Sequence, residues 1–252
     1  MASRRRGRLL DGVLLLDKPE GLSSNHALQR ARRAMDARKA GHTGTLDPFA
    51  TGLLVCCFGR GTKLSGQLLD SDKGYEALIQ FGSETDSGDL TGTVVATAEL
   101  PPEGIDAQRV EAVLNEFRGE IQQIPPMFSA LKRDGKPLYE YARQGIELER
   151  PPRTVTIHEI TLLECTDQQA RISVLCSKGT YIRTLAQDIG RLLGCYGHLT
   201  ALRRTRVGPF HLDAAIELEA LQAMPEPETT LIELADLPAG LQPANLNLKE
   251  QL

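Results

Sequence analysis

Short apolar runs, separated by glycine, proline and polar clusters, set the rhythm of this 252-residue chain. Val13-Leu14-Leu15-Leu16 is apolar throughout and bounded by Gly12 and Asp17, which predicts a strand buried on both faces. Ser23 or Ser24 can cap a helix to about Met35, with Leu28, Ala31 and Met35 on one face and Arg30, Arg32 and Arg33 largely off it. Leu53 to Phe58 is a second buried strand. Tyr75 to Phe81 and Thr93 to Thr97 read as strands around a polar loop, Thr85 to Gly92. Asp106 opens a helix with Val110, Val113, Leu114 and Phe117 at i, i+3, i+4, i+7 spacing, stopped by Gly119. Val155–Ile157, Ile160–Leu162 and Ala170–Cys176 are further strands. Thr180 to Leu193 is a helix with Leu185, Ile189, Leu192 and Leu193 inward, ended by Gly194, and Leu199 to Val207 returns as a strand. Strands outnumber helices without βαβ alternation. The predicted class is α+β, with a mixed, largely antiparallel sheet and flanking helices.

Three segments fall outside this rhythm. Residues 1–8 read as a disordered basic arm. Between Ile124 and Pro152 lies an irregular insertion with prolines at 125, 126, 137, 151 and 152 and a short helical piece near Leu138 to Gln144. Such a connection is usually a functional flap. From Met224 onward the composition shifts to Pro-Glu-Pro-Glu, a C-terminal extension over 224–252. The main body spans residues 9–223, and by its length the chain could be one large domain or two small ones.

Composition narrows the class. Hydrophobic residues make up 41% and charged residues 25%, ordinary values for a globular protein with a substantial core. No apolar run has membrane-spanning length, and the basic start lacks the apolar stretch of a signal peptide. The five cysteines, Cys56-Cys57 adjacent, fit neither a disulfide framework nor zinc spacing and read as cytosolic thiols. Net charge is −4, which disfavours indiscriminate nucleic-acid binding, yet basic residues cluster at Arg4-Arg5-Arg6, Arg30/Arg32/Arg33, Arg38-Lys39 and Arg203/Arg204/Arg206. A local phosphate-facing stripe is compatible with an acidic remainder, and a merely solvated face is the plainer reading of each cluster.

The densest chemistry lies in Lys39 to Leu53. Asp47 precedes Pro48, which biases it away from the helical region, and Gly41, Gly44 and Gly52 permit close backbone approach or positive φ around it. An Asp-Pro pair alone is ordinarily an Asx-turn. The fuller string Gly41-His42-Thr43-Gly44-Thr45-Leu46-Asp47-Pro48 with Ala50-Thr51-Gly52-Leu53 resembles the catalytic motif of the TruB family of pseudouridine synthases. Four more stretches match that family in order: Leu16-Asp17-Lys18-Pro19-Glu20-Gly21 with Ser23-Ser24, Asp70 to Tyr75, Ile124 to Lys132, and Cys176 to Leu185.

That resemblance implies a pseudouridine synthase-like catalytic domain that isomerises uridine 55 in the T-loop of tRNA after flipping the base. It implies Asp47 as the catalytic carboxylate, Arg183 as its salt-bridge partner, and Tyr75 as the tyrosine that stacks on the base. Tyr181 and Leu202 would line the uridine pocket, and His42 would fill the space the base leaves. Lys18 and Lys178 are candidate phosphate contacts, and the 124–152 insertion a candidate clamp on the RNA stem. No cofactor or metal is implied, since the reaction gains no atom and transfers no electron. Family members commonly carry a C-terminal PUA-like module, for which too few residues remain; it is absent or truncated. A stand-alone cytoplasmic monomer acting on tRNA, with no guide RNA and no membrane, is the expectation.

Two other readings compete. Gly41-His42-Thr43-Gly44 fits the GXXG of KH domains, which grip nucleic-acid backbones, but the surrounding KH pattern is missing. A hydrolase built on His42 and Asp47 lacks a third ligand or nucleophile at suitable spacing.

Overall fold

The computed structural model describes residues 7–102 and 104–241. In chain order, β1 (Gly12–Lys18) leads to α1 (Ser24–Ala34), β2 (Ala40–His42), β3 (Thr51–Phe58) and α2 (Ser65–Leu69). Next come β4 (Lys73–Phe81), β5 (Ser83–Thr85), β6 (Val94–Thr97), α3 (Ala107–Asn115) and β7 (Gly119–Gln123). The hairpin of β8 (Lys132–Arg133) and β9 (Lys136–Pro137) runs into α4 (Leu138–Ala142), then β10 (Arg153–Cys165) and β11 (Gln169–Cys176). The remaining elements are α5 (Ile182–Leu192), β12 (Gly197–Val207), β13 (Phe210–His211), β14 (Ile216–Glu217) and α6 (Leu218–Ala223). The fold is α+β, mixed and largely antiparallel, as the pattern predicts. The chain divides into two compact units, Met1–Lys73 with Arg203–Leu252, and Gly74–Leu202.

In the first unit β1 lies between β14, parallel to it, and β3, antiparallel; β3 then pairs in parallel with β12 through Arg203↔Thr51 and Arg204↔Gly52. The uninterrupted apolar run of β1 follows from its position, because both faces are covered. Val13 and Leu15 face one cluster with Leu53, Val55, Cys57, Leu64, Leu68, Val207 and Phe210. Leu14 and Leu16 face the other, with Ala27, Leu28, Ala31 and Met35 of α1 and Leu218 and Leu221 of α6. Leu234, Leu237 and Leu241 join the first cluster, and Ile232 bonds Val13 in both directions, so this part of the expected C-terminal extension belongs to the core. At the other end Arg8 is no loose arm: it bridges to Ala37 and pairs with Glu228 at 2.6 Å. Residues 1–6, with the Arg4-Arg5-Arg6 cluster, and 242–252 lie outside the described residues.

The second unit builds its sheet in the order β12, β4, β11, β10, β7. Expected strands over 155–157 and 160–162 are one strand, β10, with register shifts at Ile157/Glu159 and Leu162/Glu164. Those bulges break the alternation without ending the strand. β7 carries no apolar alternation and exists because it pairs with β10. Its first residue is Gly119; α3 already ends at Asn115. The β8–β9 turn uses Asp134 at φ 51 and Gly135 at φ 80, the chemistry of a two-residue hairpin. On α5, Leu185, Ile189 and Leu193 are buried, but Leu192 is 57% exposed, because Leu193 takes the inward position one turn beyond Ile189. All five cysteines are free thiols, and burial pushes Cys57 up to about 11 and Cys56 higher still, which leaves both inert. Among the described residues no helix is long and apolar enough to cross a membrane.

Gly52 fixes how closely β12 approaches β3. It holds φ +99, and an added Cβ would stand 2.4 Å from Arg204 O and 2.7 Å from Arg204 N. Gly52→Ala is expected to lower unfolding free energy by more than about 2 kcal/mol, from conformational strain together with a clash against rigid backbone. Urea denaturation reads this as a lower midpoint at unchanged slope; a change under about 0.5 kcal/mol would show that the close approach is not obligatory.

Candidate active site

Asp47 sits in the irregular segment between β2 and β3, partly exposed, in a turn closed by Ala50 N donating to Asp47 O at 3.1 Å. Pro48 pre-sets the second position of that turn. A loop without ladder bonds must find other partners for its backbone, and here side chains supply them. Ser23 caps α1 by accepting from His26 N, which leaves the neighbouring hydroxyl for the loop. Ser24 Oγ, buried, accepts from Leu46 N at 2.7 Å and donates to Leu46 O at 3.1 Å. Gly21 N donates to Pro48 O at 2.7 Å. On both sides of Asp47, then, the backbone is tied to the segment joining β1 and α1.

Two buried cations complete the support. Arg204, 1% exposed, donates through Nε to Leu53 O at 2.8 Å and through an Nη to Gly44 O at 3.2 Å, gripping the loop near each end. Gly44 turns there at φ +113, whereas Gly41 lies in β2 with no positive φ and only ordinary contact to Thr62. Lys18 is fully buried and its Nζ donates to Pro19 O, Leu22 O and Pro48 O at 2.8, 2.7 and 3.4 Å. Burial pulls its pKa down to about 8; the Asp47 carboxylate opposes that shift and Arg204 adds to it. His42, half-buried at the end of β2, is held neutral over a wider pH range by burial first and by Arg204 second. Lys18, Arg204, His42 and Asp47 thus share one electrostatic neighbourhood.

In the second unit, Arg183 is 4% exposed on the first turn of α5. Its guanidinium donates to Ser87 O and Phe128 O, both at 2.7 Å, and stands 3.8 Å from Asp89 Oδ2. The Thr85–Gly92 loop wraps that carboxylate: Ser87 Oγ and Thr91 N each donate to Asp89 Oδ1 at 2.9 Å. Tyr75 lies partly buried on β4, Tyr181 stands at the N-cap of α5, and Leu202, 7% exposed, lies on β12. Lys178 is exposed in the turn before α5, beside Gly179 at φ +80. The structure therefore groups His42, Asp47 and Lys18 in one unit and Tyr75, Lys178, Tyr181, Arg183 and Leu202 in the other. Among the described residues no three His, Cys, Asp or Glu side chains form a metal-ligating group.

A carboxylate on a braced loop beside buried cations suits nucleophilic or base chemistry. Residues 32–182 match the TruB family pseudouridylate synthase N-terminal domain, and residues 183–246 match the tRNA pseudouridylate synthase B C-terminal domain. The chain belongs to the TruB family. The synthase is 69% identical to a tRNA pseudouridine synthase B of Bordetella avium, over 96% of this chain and 99% of that protein. It is 60% identical to one of Aromatoleum aromaticum, over 88% of this chain and 71% of the relative. A chain in the crystal structure of a Cbf5-Nop10-Gar1 complex shares 29% identity at TM-score 0.69; 89% of this chain and 60% of that one are covered. A chain in an H/ACA RNP bound to a substrate RNA containing 2'-deoxyuridine shares 25% identity at TM-score 0.66, covering 92% and 65%.

Two sequence expectations change. Lys18 is no surface phosphate contact, since its ammonium is buried on three carbonyls. Nor is Arg203/Arg204/Arg206 a free basic stripe. Arg204 is internal, Arg203 pairs with Asp17 at 2.6 Å, and Arg206 donates to Gly208 O. Arg30 likewise donates to Gln222. Ser24, Arg204, Asp89 and Gln123 emerge as supports that no spacing rule singles out, because their partners are distant in sequence.

Lys18→Met should cost the synthase at least about 2 kcal/mol of stability, because buried carbonyls lose their donor. The salt dependence of RNA binding should stay as in the parent; a phosphate contact would instead lower its slope by about one with stability intact. The folded pKa lies below the unfolded one, so Lys18's own titration adds stability as pH rises from about 8 toward 10.5 and withdraws it as pH falls through 8. Lys18→Met should abolish that rise in a pH series of unfolding curves.

Proposed function

We propose that the synthase converts uridine 55 in the T-loop of tRNA to pseudouridine, with Asp47 as the catalytic carboxylate. The braced Asp47 loop carries this reading: an acid fixed on both sides by Ser24, Gly21, Arg204 and Lys18 can approach a base with little reorganisation. The reaction breaks N1–C1′ and forms C5–C1′; the C5 proton leaves, N1 regains one, and the product is an isomer. Asp47 begins it by attacking C6, by attacking C1′, or by removing the C2′ proton. The family resemblance assigns Arg183 the part of keeping the catalytic carboxylate ionised and oriented through charge-assisted hydrogen bonds. Tyr75 stacks on the uracil and stands ready to take the C5 proton, while Tyr181 and Leu202 enclose the base.

A T-loop hides its target, so the nucleotide is extruded at a cost of roughly a few kcal/mol. His42, neutral and flat, stacks in the vacated space. Lys178 meets a phosphate and the 124–152 insertion grips the stem. The chemistry requires no cofactor, and the synthase acts as a cytoplasmic monomer without guide RNA. Identity of 69% to a relative named tRNA pseudouridine synthase B supports the tRNA substrate.

Asp47→Asn is nearly isosteric but is a poor nucleophile and no base. It is expected to bind a T-stem-loop RNA like the parent and to form no pseudouridine in single-turnover assays with chelator present. A rate within about tenfold of the parent, a barrier change of only about 1.4 kcal/mol, would remove Asp47 from the chemistry.

A further inference from the structure

α5 starts without a capping side chain of its own. Tyr181 stands at the N-cap, and its ring cannot serve the first helical backbone groups. Help comes from a strand far away in sequence. Gln123, the last residue of β7, is 2% exposed, and its amide meets the backbone of Tyr181 twice. Its Oε1 accepts from Tyr181 N at 3.0 Å, and its Nε2 donates to Tyr181 O at 3.2 Å. A primary amide is among the few side chains able to serve one peptide N–H and one C=O together. The strand end that presents it is itself fixed, since Gln123 pairs with Arg153 across the β7–β10 ladder.

This clamp lies at the junction between the turn after β11 and the body of α5. Downstream, Ile182, Leu185, Ala186 and Ile189 anchor the body of α5 in the core. Upstream, Lys178 and Gly179 are exposed, Gly179 turns at φ +80, and Thr180 Oγ1 closes the turn by donating to Ser177 O at 2.9 Å. Tyr181 is the junction, two residues before Arg183. The chain just after Gln123 also meets Arg183, through Phe128 O. Loss of the amide would let the turn and the first residues of α5 shift while the helix stays folded.

We propose that Gln123 is a positioning residue for isomerisation: its two-point hold on Tyr181 sets where Tyr181 and Arg183 stand. This rests on the roles given to those two residues above. Gln123→Met keeps length and removes both hydrogen bonds. Gln123→Glu keeps shape, but its carboxylate would face Tyr181 O with no donor. When protonated it regains one donor and one acceptor, and burial raises the pH at which that happens.

The test compares both variants with the parent and with Arg183→Lys, which cannot reproduce the planar guanidinium fork. Single-turnover rate, RNA affinity and thermal midpoint are measured across pH. Gln123→Met should lose about 100-fold in rate, the scale of a misplaced catalytic group, at near-parental RNA affinity and at every pH. The rate of Gln123→Glu relative to the parent should recover as pH falls, and should recover even if the methionine variant folds poorly. A Gln123→Met rate within about threefold of the parent would overturn the proposal. So would a pH-independent Gln123→Glu ratio accompanied only by lower midpoint and weaker binding. If Arg183→Lys is inactive while Gln123→Met works, the positioning role alone falls; if both work, the catalytic role of Arg183 falls first.

Discussion

A buried guanidinium, Arg204, is the contact on which the first unit's Asp47 loop depends. Its Nε takes Leu53 O and an Nη takes Gly44 O, one carbonyl on each side of Asp47. The grip is possible because Gly52 lets the Arg204 backbone come closer than any Cβ would allow. A buried cation is costly unless its hydrogen bonds are met and an opposite charge is near. Carbonyls meet the first need. Lys18 senses both Arg204 and Asp47, which places a carboxylate in the same neighbourhood as the two cations. The acid offered for chemistry therefore also helps make its own scaffold tolerable.

The second unit solves the same problem with the same parts. Arg183 holds Ser87 O and Phe128 O, Asp89 organises the loop beside it, and Gln123 holds the backbone of Tyr181. In both units, segments free of ladder hydrogen bonds are fixed by side chains whose polar atoms meet backbone rather than solvent. Fixing irregular backbone in this way yields geometry accurate enough for catalysis while leaving reactive side chains uncommitted to the core.

Much of this was legible in the sequence. The run Val13–Leu16, a cap at Ser23 or Ser24, the Gly194 stop and the Asp47-Pro48 turn each follow from local chemistry, and the ordered motifs pointed to the TruB family. What escaped was set by tertiary pairing. β7 has no apolar alternation and forms only because β10 is beside it. A bulged strand such as β10 looks like two strands when its alternation slips. Lys18 and Arg204 looked like surface charge, since nothing in local spacing tells a buried cation with carbonyl partners from a solvated one. The bond of Ser24 to Leu46 and that of Gln123 to Tyr181 were silent for the same reason: the partners lie 22 and 58 residues apart.

Buried side chains, Arg204 first among them, hold the Asp47 loop in one geometry. Hydrogen–deuterium exchange across residues 41–50, in the parent and in Arg204→Met, reads that hold directly, with pseudouridine formation followed on the same samples. The account predicts that the amides of Thr43, Leu46 and Ala50 exchange at least about tenfold faster in the variant, that amides of β10 and β11 do not change, and that activity falls with the lost protection. Unchanged protection of the loop in a folded Arg204→Met protein would contradict it.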